Sequence, residues 1–157
     1  MKARKEMNVG FDDPRNTDIL AYLKKRKNEN DIQKSISSDQ VPDPYFKLGS
    51  HPDIVQRVWD EVTDKISEDC KWIVYGNPVL VTPKSGIIFG FTCGTSYVLR
   101  FSPNVIQEVV NKGLKTEHKF MNNYTLDLSV IGKDWFFGEF YDEEKEWCVK
   151  TFEYFNK

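Results

Sequence analysis

The stretch GIIFGFTCGTSYVLRF, residues 86–101, decides how the rest of the chain folds. Three glycines, a cysteine and a Thr-Ser pair interrupt an apolar run, so it reads as a phosphate cradle, a nucleophile turn or a β-hairpin. A phosphate cradle needs clustered backbone N–H groups leading into a helix, with a lysine placed on the phosphates. Gly86, Gly90 and Gly94 instead stand four apart, a strand-like run follows Gly94, and the chain contains no G-x-x-x-x-G-K-[ST] match. A nucleophile elbow spaces its residues G-x-[SC]-x-G on a strand-to-helix turn. "GFTCG" is one residue out and leads into another apolar strand. The hairpin remains: "IIFGF" (87–91), a turn at "TCGTS" (92–96) and "YVLRF" (97–101).

Two strands precede the hairpin. "CKWIVYG" (70–76) ends in the breaker cluster Gly76-Asn77-Pro78, and "VLV" (79–81) is closed by the turn "TPKSG" (82–86). Helices bracket these four strands. Residues 50–67 offer Ser50 as cap, Pro52 in the first turn, and Ile54, Val55, Val58, Trp59, Val62 and Ile66 at helical spacing. Residues 102–113 carry Ser102 as cap, Pro103 at the first helical position and Gly113 as terminator. After a polar stretch containing His118, "YTLDLSVIG" and "DWFFGEF" predict one or two further strands. The last helix, "DEEKEWCVKTFEYF", has Asp142 as cap and Trp147, Cys148, Thr151, Phe152 and Phe155 on one face.

The order α–ββββ–α–β(β)–α lacks βαβ alternation and predicts an α+β fold: an antiparallel β-meander of about five to six strands with helices packed on one face. The other face is then left to solvent or a partner. In "DWFFGEF" Trp135 and Phe137 share one side of the strand and Phe136 the other. At least one bulky ring is thus expected to face away from the helices, as a candidate binding surface.

Eighteen of the 22 aromatic residues lie beyond residue 47, which places the core in a single α+β domain at 48–157. Residues 1–47 read as an N-terminal arm and linker with a short helix carrying Ile19, Leu20 and Leu23, and with Tyr45 and Phe46 pinning the linker. So few apolar residues do not offset an ordering cost of about 1–2 kcal/mol per residue, so the arm is expected to be loosely docked and dispensable for folding. The arm carries ten Lys/Arg against eight Asp/Glu, and the domain twelve against sixteen. That acidic balance argues against a nucleic-acid partner. The basic start is followed by no apolar signal core, no run is long enough to span a bilayer, and Cys70, Cys93 and Cys148 are odd in number and scattered. These features predict a cytoplasmic protein with reduced thiols and no membrane association.

Few residues invite chemistry. Cys93 has His118 or His51 as candidate bases, with Asp127 behind His118, but a turn cysteine is ordinarily a small hydrophobe. Glu143-Glu144 and Glu68-Asp69 read as helix-end and turn charges, and Asp134 and Asp127 as acids flanking apolar strands. No Cys-x₂-Cys or His-x₃-His pair suggests a metal, and no cofactor motif occurs.

From residue 71 onward the layout resembles the small domains of the TfoX N-terminal/YjbR-like group. The resemblance rests on Tyr75-Gly76-Asn77-Pro78, Ile87-Ile88-Phe89-Gly90 and Tyr97-Val98-Leu99-Arg100, followed by the helix from Pro103. It spans residues 50–157, lacks the group's Met-Phe-Gly-Gly signature, and has no counterpart for the arm. It implies a regulatory or binding role and transfers no site residue. The expectation is a non-catalytic cytosolic binding or regulatory module with a protein partner. Two other classes stay open: a small enzyme using Cys93 or Asp127 with His118, and an acidic immunity-type inhibitor of a basic protein.

Overall fold

The computed structural model describes residues 9–26, 33–34, 52–66, 68–75, 77–93, 96–119, 125–138 and 143–157. The expected linker anchors Tyr45 and Phe46, the caps Ser50 and Asp142, and His51, Gly76 and Gly94 lie outside them. In chain order the elements are α1 (Thr17–Arg26), β1 (Gln33–Lys34), α2 (Pro52–Arg57), β2 (Lys71–Val74), β3 (Asn77–Val81), β4 (Ile88–Cys93), β5 (Ser96–Arg100), α3 (Pro103–Lys112), β6 (Glu117–Lys119), β7 (Thr125–Asp127), β8 (Trp135–Phe137) and α4 (Glu144–Phe155). The fold is α+β. Its main sheet is antiparallel and six-stranded, in the order β1-β2-β3-β4-β5-β8, while β6 and β7 form a separate two-stranded ribbon.

The quoted stretch is the central hairpin of this sheet, and its glycines have steric work. Gly86 closes the β3–β4 turn with φ 71°, donating its N–H to the Thr82 carbonyl at 2.7 Å. The β3–β4 register slips by one residue, since Leu80 faces Gly90 and Val81 faces Ile88. The slip is a β-bulge, which puts Phe89 and Gly90 on the same side. A Cβ on Gly90 would sit 2.9 Å from Leu80 Cδ1 and 3.0 Å from Leu99 Cδ2. Glycine there lets those leucines close over the strand while Phe89 reaches Phe152 of α4, ring centroids 5.9 Å apart.

Several boundaries move from those expected. Asn77 and Pro78 begin β3 instead of breaking the chain; Tyr75 lies at φ 52° and Val74 stands opposite Asn77. The helix from Pro52 gives way at Val58–Val62 to a π turn. There the Thr63 N–H reaches back five residues to the Val58 carbonyl, and its hydroxyl donates to Val58 and Trp59. Among the described residues of "YTLDLSVIG", Thr125–Asp127 form a strand that pairs with the polar segment Glu117–Lys119 and then passes into a single 3₁₀ turn. Pro103 and Gly113 (φ 85°) bound α3 as expected, but the Ser102 hydroxyl bonds the Asn104 side chain at 2.5 Å and does not cap a backbone N–H of the helix.

Strand alternation sends side chains to two buried layers. On the first face Ile73, Leu80, Phe89, Tyr97, Leu99, Phe101 and Phe136 pack under Trp59, Val105, Val109, Trp147, Cys148 and Phe155 from the π turn after α2, from α3 and from α4. The second face was expected to be open. Instead, Trp72, Val74, Val79, Val81, Phe91, Val98, Trp135 and Phe137 are covered by Ile19, Leu20 and Leu23 of α1, and by Leu126, Leu128 and Ile131 around the ribbon. Helices therefore lie on both faces. The rings of Trp135 and Phe137 do point away from α2–α4, but into a second core and not into solvent.

Residues 9–26 are also tied down by buried polar bonds. Asn16 is fully buried; its Nδ2 donates to the Gly10 and Gly86 carbonyls at 2.9 and 2.8 Å, and its Oδ1 accepts from the Ile88 N–H at 2.9 Å. Farther along α1, the Leu23 carbonyl accepts from Asn77 Nδ2 at 3.2 Å. Loose docking does not describe this segment.

Candidate functional site

The residues singled out for chemistry are largely absorbed into structure. Cys93 ends β4 opposite Ser96 and is buried in the second core. His118 is half-buried on β6, with its ring centroid 5.5 Å from that of Phe137. Its register partner is Leu126, whereas Asp127 pairs with Glu117. Successive strand residues face opposite sides, so Asp127 and His118 sit on different faces of the ribbon. The Asp127 carboxylate instead accepts the Ser129 N–H at 3.0 Å, which caps the following 3₁₀ turn and lowers its pKa. An Asp–His relay toward Cys93 is not assembled.

The other acids have structural partners. Asp134 accepts from Arg100 Nε at 2.7 Å, and Glu143 pairs with Lys112 at 2.5 Å, which lowers the Glu143 pKa. Glu144 is not a surface helix-end charge. It is buried and paired with Arg57 at 2.5 Å, linking α4 to α2, and burial raises its pKa despite that cation. Asp69 is exposed, and its backbone carbonyl accepts from the Trp72 indole at 3.3 Å. Among the described residues the exposed carboxylates include Asp60 and Glu61 on the π turn, Glu117 and Asp127 on the ribbon, and Glu146 on α4. Among the described residues no group of three or more His, Cys, Asp or Glu is placed to hold a metal ion, and no helix is long and apolar enough to cross a membrane.

What the structure assembles is a cleft of about 420 Å³ where the end of β5, the start of α3 and the end of α4 meet the arm. Arg15, Arg100, Asp134, Tyr154, Phe155 and Lys157 are among its lining residues. Arg100 is its fixed element. It closes the strand run Tyr97-Val98-Leu99, and its guanidinium lies 4.9 Å from the Phe155 ring centre and 5.9 Å from that of Trp135. Nε bonds Asp134, Nη1 donates to the Arg15 carbonyl at 2.8 Å, and the Arg100 carbonyl accepts the Thr151 hydroxyl. One residue thus holds the arm, the β8 approach and α4 together. Arg15 is clamped by Asp13 through its Nε and Nη2, which lowers the Asp13 pKa.

Tyr154 stands at the rim, edge-on to Phe155 and 44% exposed, among the few large apolar side chains left in solvent. A second hollow of about 340 Å³ continues past it, sharing Pro103, Tyr154 and Lys157 and adding Lys150 and Glu153. Sequence reasoning assigned none of these residues. The available signal was a single cation, Arg100, between Leu99 and Phe101 in an apolar strand; the arm's contribution carried no signal at all. The chain has no match among protein-family models, curated proteins or solved structures.

Proposed function

We propose that the protein is a non-catalytic, cytoplasmic binding module that receives a protein partner at the Arg100–Tyr154 cleft. The observation that carries this reading is the contrast between spent and unspent groups. Cys93, Asp127 and Glu144 serve the core, a cap and a buried ion pair, whereas the cleft is lined by a solvent-exposed ring, Tyr154, and by Arg100, whose guanidinium packs on the buried Phe155. Exposed aromatics beside arginine are the residue types that anchor protein interfaces. The regulatory or binding role implied by the resemblance to TfoX N-terminal/YjbR-like domains agrees with the proposal.

The test is affinity isolation of a partner on the immobilised protein, identification, and titration of the purified pair. Tyr154→Ser is expected to abolish binding while changing stability by less than about 1 kcal/mol, because the ring stands partly in solvent at the rim. Cys93→Ala is expected to leave binding intact. A partner held equally well by Tyr154→Ser and Lys157→Glu would move the site elsewhere.

A further inference from the structure

We infer, resting on that reading of the cleft, that its ligand presents an anionic group, a carboxylate or a phosphate, to the open edge of Arg100. A guanidinium carries five N–H donors in a rigid planar fork. Asp134 and the Arg15 carbonyl engage Nε and Nη1, at 2.7 and 2.8 Å. Nη2 has no acceptor among the described residues and is not sealed away from solvent. The two bonds and the flanking rings of Trp135 and Phe155 fix the plane of the fork. A fork already held in place loses little freedom when it pairs, which favours oxyanions that offer two oxygens side by side, as carboxylates and phosphates do.

The charge around it points the same way. Arg15, Arg100 and Lys157 line the cleft against one lining carboxylate, Asp134, which is already engaged by Arg100. Asp13 lies beside the cleft but is taken up by Arg15. Three cations against these two carboxylates leave a local surplus of one positive charge on a chain whose formal net charge is −2. The positive end of α3, at Pro103 and Asn104, borders both hollows and adds to the same potential. Tyr154 provides an apolar wall for whatever carries the anion.

The arginine side-chain N–H resonances of the full chain report on this directly. Sodium phosphate, sodium acetate and sodium chloride are titrated separately at matched ionic strength. The Arg100 Nε–H resonance is expected to move saturably with phosphate, with acetate or with both, and the response tells which anion the site prefers. Lys157→Gln and Arg15→Gln should each weaken that binding by on the order of fivefold. No saturable movement up to tens of millimolar, an equal response to chloride, or unchanged affinity in both variants would overturn the inference. Loss of the partner in Tyr154→Ser with Arg100 silent to both anions would sink the anion inference and leave the binding-module reading standing. Saturable anion binding with partner affinity unchanged in Tyr154→Ser would do the reverse.

Discussion

The two faces of the sheet are covered by very different stretches of sequence. On the first face, α3, α4 and the π turn after α2 bring Trp59, Val105, Val109, Trp147 and Phe155, spaced at helical intervals. On the second, a ten-residue helix and its approach bring Val9, Ile19, Leu20 and Leu23, with Phe11 and Tyr22 half-buried. The first cover would be recognised as core in isolation; the second would not. The difference teaches that a segment's own apolar content is the wrong quantity to weigh against its ordering cost. The relevant quantity includes the surface it covers, here Trp72, Val79, Val81, Phe91 and Trp135, which would otherwise face water. At roughly 25 cal/mol per Å² of apolar surface, covering such rings contributes as much as burying the arm's own side chains.

The largest expected effect follows from that point. Removing residues 1–26 should abolish cooperative thermal unfolding, against the expectation drawn from the arm's composition alone. Single truncations then compare the faces. Trp147→Ala, at an edge-on contact with Phe101, is expected to cost about 3–5 kcal/mol in urea melts, and Leu23→Ala about 2–5 kcal/mol. If Leu23→Ala melts like the wild type, the second face is a veneer and not a core.

Asn16 sharpens the comparison, because it is the polar half of the arm's attachment. Asn16→Ala leaves the Gly10 and Gly86 carbonyls and the Ile88 N–H without its amide, and an unmet buried group costs about 1–3 kcal/mol. The variant should lose at least about 2 kcal/mol, with larger losses near the β3–β4 turn than around α4. The first face has its own polar tie in Arg57–Glu144. Burial raises the Glu144 pKa above its ordinary 4.5, so the folded state takes up a proton at higher pH than the unfolded chain does. The resulting stabilisation is present at acid pH and lost as pH rises through the folded value. Asp13 has the opposite sign: its lowered pKa gives stability above the ordinary carboxylate range that fades as pH falls through the folded value. Arg57→Ala, which leaves Glu144 buried without its cation, should therefore cost more at pH 7 than at about pH 5. Equal losses at both values would mean that Glu144 does not change its protonation between them. Smallest of all, Glu153→Ala on the exposed side of α4 should shift stability by less than about 0.5 kcal/mol.

The first face was legible because its information is local. Pro103 and Gly113 punctuate α3, Trp147 to Phe155 repeat at helical spacing, and Trp135-Phe136-Phe137 alternate as a strand must. The π turn after Arg57 was hidden, since Val58, Trp59 and Val62 suit an α-helical stripe equally well. The arm was hidden because its attachment is set by pairs far apart in sequence, Asn16 with Gly86 and Leu23 with Asn77, and no periodicity records those. The cleft inherits the same blindness. Arg100 was visible as a cation in an apolar strand, but Arg15 reaches it only because the arm is docked.

Native-state hydrogen exchange at the Ile88 amide tests most directly whether the arm is a structural layer, because that N–H is protected by the Asn16 side chain and not by another strand. If the arm belongs to the core, Ile88 exchanges only through global unfolding, with the same opening free energy as the amides around Cys148 and Thr151 in α4. Exchange of Ile88 through a separate, lower-energy opening shared with Asn16 and the α1 amides would contradict the account.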